Sequence, residues 1–140
     1  MVAVVVEKEI PLPAEKVWGL LADFGDISWS GMENVEVEGE GVGMIRKIIV
    51  GEGKAAVERL EAYDANNMTF TYSIVSGNPM PIENIQGSPQ VTVVDDGHCT
   101  LSWTVTGNEV GIPESEAAQM LKGFYAGLLE TIAGAAATQE

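Results

Sequence analysis

Arg46, Glu58 and Tyr72 are the side chains of this sequence whose types could do chemistry together. A guanidinium beside a carboxylate can anchor a ligand's carboxylate or hydroxyl, and a phenol nearby adds a hydrogen-bonding group. The same trio is the only candidate set for acid–base work. A carboxylate held ionised by an arginine suits anchoring better than proton transfer at neutral pH. Other chemistries lack parts. The chain has one histidine, His98, and one cysteine, Cys99, which removes disulfide frameworks, Cys-rich zinc sites and most histidine-based machinery. His98 falls at a hairpin end and reads as a surface residue, and Cys99 as a small core filler. No catalytic residue, metal or cofactor is expected.

These side chains meet only if the elements bring them together. Residues 2–10 are β-branched and apolar, then alternate through Glu7 and Glu9, which predicts a strand ended by Pro11 and Pro13. Val17, Trp18, Leu20 and Leu21 at helical spacing predict a helix over 14–23, and 24–31 reads as a second short helix and a turn. Six strands follow near 33–38, 42–50, 54–63, 68–76, 83–94 and 98–107. One long helix spans 114–136, with Glu114 and Glu116 in its first turn and Ala117, Met120, Leu121, Phe124, Leu128 and Ile132 as its apolar stripe. The order predicts an α+β fold, an antiparallel meander joined by the early strand, with the long helix on its concave face. Gly123, Gly127 and Gly134 each cost this helix ~1 kcal/mol relative to alanine, which close approach to the sheet or to a bound molecule would explain.

Parity assigns the faces. In the last hairpin, Val91, Val93, Cys99, Leu101, Trp103 and Val105 share one face if Asp95-Asp96-Gly97 is a three-residue turn with Gly97 left-handed. A Gly51-Glu52-Gly53 loop places Val50 opposite Lys54 and Arg46 opposite Glu58. Met44, Arg46, Ile48 and Val50 share a face, as do Ala56, Glu58, Leu60 and Ala62. The opposite face, with Ile45, Lys47, Ile49, Arg59 and Glu61, is mixed as well, so pattern alone leaves the inner side of this hairpin undecided. Met68, Phe70, Tyr72 and Ile74 form a core face.

Composition narrows the class. The 140 residues fit one domain, 46% apolar and 20% charged, with 7 basic against 21 acidic residues and a net charge of −14. Such a surface repels phosphate backbones and anionic lipid headgroups, so no nucleic-acid partner and no membrane insertion are expected. The opening Met-Val-Ala-Val-Val-Val is interrupted by charge too early for a signal peptide or a span, and a cytoplasmic location is the expectation.

Pro13-Ala14-Glu15-Lys16-Val17-Trp18, the run from Glu36 to Arg46, Glu58-Arg59-Leu60, Tyr72-Ser73-Ile74, Gly77-Asn78-Pro79-Met80-Pro81, Trp103 and Gly127-Leu128-Leu129 occur in one order along the chain. In that order they resemble the START-like helix-grip superfamily, the polyketide cyclase/dehydrase and lipid-transport (SRPBCC) proteins. Residues 43–94 are most similar to plant abscisic-acid receptors and their bacterial relatives. Gly51, Glu52 and Gly53 take the place of the receptors' gate loop and Ser76 to Pro81 that of their latch. The receptors' own gate and latch patterns are absent, so hormone binding and phosphatase partnership are not implied.

The resemblance implies a seven-stranded curved antiparallel sheet wrapped around a long C-terminal helix, with two short helices after the first strand and a mostly apolar cavity between sheet and helix. It turns Glu58, Tyr72 and Ile74 inward, and parity then brings Arg46, Ile48, Val50 and Leu60. Phe70, Ile85, Trp103, Met120, Phe124 and Leu128 complete the expected ligand-binding set. The implied function is noncovalent binding of a small hydrophobic molecule, as carrier or sensor. A small cyclase- or dehydratase-type enzyme acting on a polyketide-like or aromatic substrate is the alternative. In a third reading, a protein partner docks on the loops at 51–53 and 76–81 once the cavity fills. Two glycines let 51–53 change conformation cheaply, whereas Pro79 and Pro81 stiffen the other loop.

Overall fold

The computed structural model of the chain describes residues 1–32, 34–49 and 55–138. Seven strands form one antiparallel sheet: β1 (Val2–Ile10), β2 (Val35–Glu38), β3 (Ile45–Ile49), β4 (Ala55–Asp64), β5 (Thr69–Ser76), β6 (Ile82–Asp95) and β7 (His98–Glu109). Spatial order is β1-β7-β6-β5-β4-β3-β2, so the first strand closes onto the last and the others run as a meander. Among the described residues two α-helices complete the fold, α1 (Ala14–Leu21) and α2 (Glu114–Thr138), with short 3-10 turns at Ser28–Ser30 and Ala65–Asn67. The helix-grip architecture expected from the sequence is present. The expectations for Val50, Gly51, Glu52 and Gly53 lie outside the described residues.

The size of the parts explains why this fold is partly hollow. Seven strands spaced ~4.8 Å apart span roughly 29 Å, whereas one helix with its side chains is only ~10–12 Å across. Helix α2 packs across β1 and β7 and cannot cover the rest of the concave face. The segment from Leu20 to Met32 arches over the β3–β5 side instead. It is pinned where Tyr63 Oη donates to Ala22 O at 3.0 Å and Arg46 Nη1 donates to Phe24 O at 2.8 Å.

Three readings of parity are corrected. The last hairpin turns through two residues: Asp95 pairs with His98 and Val93 with Cys99, leaving Val94 as a bulge. The bulge does what a third loop residue was expected to do, keeping Val91, Cys99, Leu101, Trp103 and Val105 buried on one face, and Gly97 is not left-handed. Val93 is the exception, 59% exposed. On β4, Leu60 pairs with Tyr72 and Ala62 with Thr71, so Glu61 is the extra residue. Beyond it the inner face passes from Ala62 to Tyr63, whose ring lies 5.8 Å from Trp18. Glu61 turns outward, accepting from Arg59 Nε at 3.0 Å and from Ser73 Oγ.

Helix α2 is rotated by about one residue from its expected stripe. Ala117, Leu121, Tyr125, Leu129, Ile132 and Ala136 are buried, while Met120 and Phe124 are exposed. Met120, Phe124 and Leu128 form a neighbouring ridge at i, i+4 spacing, and an apolar ridge beside another apolar ridge gives the pattern two readings. A Cβ added at Gly123, Gly127 or Gly134 would meet nothing within 4 Å, so close approach to the sheet is not their explanation.

Candidate functional site

Between the sheet, α2 and the arching segment lies a cavity of about 740 Å³. Its exposed wall residues, among them Met32, Pro79 and Phe124, mark the mouth, and Phe70, Tyr72, Trp103 and Tyr125 are buried at its inner end. Of the residues expected from the sequence, Arg46, Ile48, Glu58, Phe70, Tyr72, Ile74, Trp103, Phe124 and Leu128 line it, as do Gly77, Asn78, Pro79 and Met80. Leu60 and Ile85 do not; they are packed in the core at 3% and 1% exposure. Ile85 is drawn off the cavity by an irregularity in β6 around Asn84, which takes a positive φ of 56°. Met120 points to solvent one turn before the mouth, and Pro81 borders a separate shallow depression.

The sequence reading missed Tyr125 and the covering segment, including Ile27, Trp29 and Met32. Tyr125 was within reach, since it stands four residues after Leu121 and four before Leu129 on the buried stripe. Beyond the end of α1 at Leu21, the covering segment carries no apolar period that marks an inner face.

Arg46 and Glu58 are register partners on β3 and β4, as expected. Arg46 Nε donates to Glu58 Oε1 at 2.7 Å, with both side chains about nine-tenths buried. The guanidinium carbon lies 3.9 Å from the centroid of the Phe24 ring and 5.6 Å from that of Tyr72, within reach of cation–π attraction. The arginine therefore ties down the covering segment and also presents a charge-neutral pair to the cavity.

The second polar group is a chain of donors. Trp103 Nε1 donates to Tyr72 Oη at 3.2 Å, and Tyr72 Oη lies 3.0 Å from Tyr125 Oη. Burial holds the Tyr72 phenol well above the usual tyrosine range, and the neighbouring Tyr125 and the Glu58 charge add to it. Burial also pushes Tyr125 up to about 12, against the hydrogen bond to Tyr72. Both phenols are neutral donors at physiological pH. A group that gives up its proton less readily folded than unfolded stabilises the fold below its unfolded pKa, ~10 for tyrosine. Stability is therefore expected to fall as pH rises from ~10 toward about 12. Phenolate absorbance followed together with circular dichroism checks this: ionisation of the pair should accompany unfolding, and a Tyr125 phenolate in the folded protein near pH 10 would contradict it.

A glycine makes room for this chain. Gly87 on β6 is the register partner of Tyr72, and a Cβ there would stand 2.5 Å from the phenol's Cζ and Oη. Such a glycine inside a strand marks close approach. At the mouth, Gly77 has φ +81°, and a Cβ would stand 1.8 Å from Ala55 O. The loop it opens is knit by Asn78, whose Nδ2 donates to Ile82 O at 2.6 Å and whose Oδ1 accepts from Met80 N at 3.0 Å. Gly77→Ala is expected to force β4 and this loop apart, loosening the mouth; amide exchange at Asn78 and Met80 should rise, and an unchanged pattern would contradict the placement.

Among the described residues, no group of three or more His, Cys, Asp or Glu could hold a metal ion. None of their helices is long and apolar enough to cross a membrane. His98 Nδ1 is 2.8 Å from Asp95 Oδ1 on the exposed hairpin, and Cys99 is buried.

A curved seven-stranded sheet around one long helix, with an apolar cavity closed by a polar inner end, defines a helix-grip protein. The chain belongs to the polyketide cyclase/dehydrase and lipid transport family, whose profile matches residues 1–137. MLP-like protein 423 of Arabidopsis thaliana is 32% identical over 110 residues, 71% of each chain. Ribonuclease 1 of Panax ginseng is 31% identical over 125 residues, 78% of this chain and 80% of the relative. Among solved structures, the XoxI protein of Bacillus cereus superposes with a TM-score of 0.84 at 24% identity, covering 99% of this chain and 97% of that one. Norcoclaurine synthase of Thalictrum flavum, solved with dopamine and hydroxybenzaldehyde, superposes with a TM-score of 0.72 at 15% identity, covering 99% and 87%.

Proposed function

We propose that the protein binds a small, mostly hydrophobic molecule noncovalently in this cavity, as a carrier or ligand sensor, with residues 1–140 working as one helix-grip unit. The observation that carries the reading is the cavity itself. At about 740 Å³ it falls within the ~300–1,000 Å³ usual for small-ligand sites, and apolar side chains dominate its wall. The expected ligand-binding residues that line it contribute the inner polar groups and most of the sheet side. The loop from Gly77 to Met80 forms part of the rim.

The enzyme alternative has less support. Glu58 is engaged by Arg46, and burial keeps the Tyr72 and Tyr125 phenols protonated, so among these three groups no free base stands ready for proton transfer. Cleavage of RNA, suggested by the ginseng relatives' name, fits worse still. Its substrate is a polyanion, the chain carries a net charge of −14, and the single histidine is on an outer hairpin.

Native mass spectrometry of the purified protein tests the reading, with titration of tryptophan fluorescence by apolar aromatic probes, since Trp29 and Trp103 both line the cavity. Saturable one-to-one binding that quenches or shifts this emission is expected. Absence of both a co-purified molecule and any saturable probe would remove the reading.

A further inference from the structure

Resting on that binding reading, we infer that the cavity selects an uncharged molecule bearing a hydrogen-bond acceptor, such as a ketone or quinone oxygen, and holds that oxygen on the Tyr125 hydroxyl.

Donor accounting fixes the direction of the phenol chain. An indole nitrogen can only donate, so Trp103 Nε1 fills an acceptor position on Tyr72 Oη. Between the phenols either oxygen could donate. If Tyr125 donated, the Tyr72 proton would need a different acceptor, and among the described residues its hydroxyl has only Trp103 and Tyr125 as partners. Both phenols are almost fully buried, but Tyr72 Oη is hemmed in by Trp103, by Tyr125 and by Gly87, where a Cβ would stand only 2.5 Å away, and a buried donor without an acceptor is costly. The favoured order is Trp103 to Tyr72 to Tyr125, which leaves the Tyr125 proton for a molecule in the cavity it lines. Each bond in such a row polarises the next, strengthening the last donor.

Asp23, Ser30 and Asn78 in the wall are each hydrogen-bonded to nearby backbone, and the remaining polar groups point the same way. Trp29 Nε1 is a second donor there, buried and without a hydrogen-bond partner among the described residues. The Arg46 charge is balanced by Glu58 at 2.7 Å, so an anion entering the wild-type cavity would lose its hydration shell and meet no net positive charge. A hydrocarbon would leave the Tyr125 donor unmatched. A neutral acceptor on an apolar frame satisfies both conditions.

Three probes of one shape test this: 2-acetylnaphthalene, 2-ethylnaphthalene and 2-naphthoate. The ketone is expected to bind wild-type protein about tenfold more tightly than the hydrocarbon, the scale of one well-made hydrogen bond, and more tightly than the acid. Tyr125→Phe should erase the ketone's advantage over the hydrocarbon. Infrared spectroscopy reads the contact in the wild type without any variant: the carbonyl stretch of bound ketone should move to lower frequency than in hexane. Ketone and hydrocarbon binding equally, or an unshifted carbonyl, would overturn the inference while leaving the binding reading intact. The acid binding best would overturn it too, and failure of all three probes would overturn both.

Discussion

Glu58→Ala is expected to destabilise the ligand-free protein by about 3 kcal/mol, the lower end of the cost of breaking a buried ion pair, and to convert the cavity into a site for acids. Arg46 would keep the Phe24 carbonyl at 2.8 Å and the Phe24 ring beneath it, but lose the only carboxylate within salt-bridge distance among the described residues. Its charge would then stand uncompensated in a poorly solvated wall. A carboxylate-bearing probe that fits the cavity replaces the lost anion, so 2-naphthoate should raise the melting temperature of this variant and leave the parent nearly unmoved. Arg46→Leu in the same background should abolish the rescue. Thermal melts of the parent and both variants with each naphthalene probe give the answer. If Glu58→Ala melts like the parent and naphthoate does not shift it, the pair contributes nothing to the cavity.

Gly87→Ala is expected to be the second large perturbation, costing on the order of 1–3 kcal/mol as an overpacked core position does. The new methyl would lie 2.5 Å from the Tyr72 phenol, and that ring has little room to move. It is packed at 6.2 Å from Phe24 and from Phe70, and at 6.3 Å from Trp103. Displacing it breaks the donor chain in the middle, so ketone preference should disappear along with stability. Adding Tyr72→Leu should recover part of the melting temperature by removing the ring the methyl strikes, without restoring ketone preference. Near-ultraviolet circular dichroism would follow the aromatic cluster directly. An alanine variant that melts and binds like the parent would contradict the close approach.

What the sequence disclosed, and what it concealed, follows from how local each signal is. The first strand was legible at both ends because β-branched residues begin it and prolines stop it. The pairing of Arg46 with Glu58 was legible because parity across a short hairpin leaves few registers. The extra residues at Glu61 and Val94 were not, since a bulge changes which face follows it without changing residue type. The inner side of the β3–β4 hairpin stayed undecided on pattern because both faces carry charges, and only the family resemblance turned Glu58 inward. The rotation of α2 was hidden by its two adjacent apolar ridges, and with it went Tyr125. The segment from Leu20 to Met32 gave no hint of roofing a cavity because its position is set by distant contacts, the Tyr63 hydroxyl on Ala22 and Arg46 on Phe24.

The central claim is that a small apolar molecule sits between sheet and helix with its polar end at Tyr125. Intermolecular nuclear Overhauser effects from bound 2-acetylnaphthalene measure this most directly. The ring protons are expected to contact Ile74, Phe70 and Leu128, and the acetyl methyl to lie beside the Tyr125 ring. Saturable binding with contacts only to outer-face residues such as Val75 or Ser73, or no intermolecular contact at a saturating probe concentration, would contradict it.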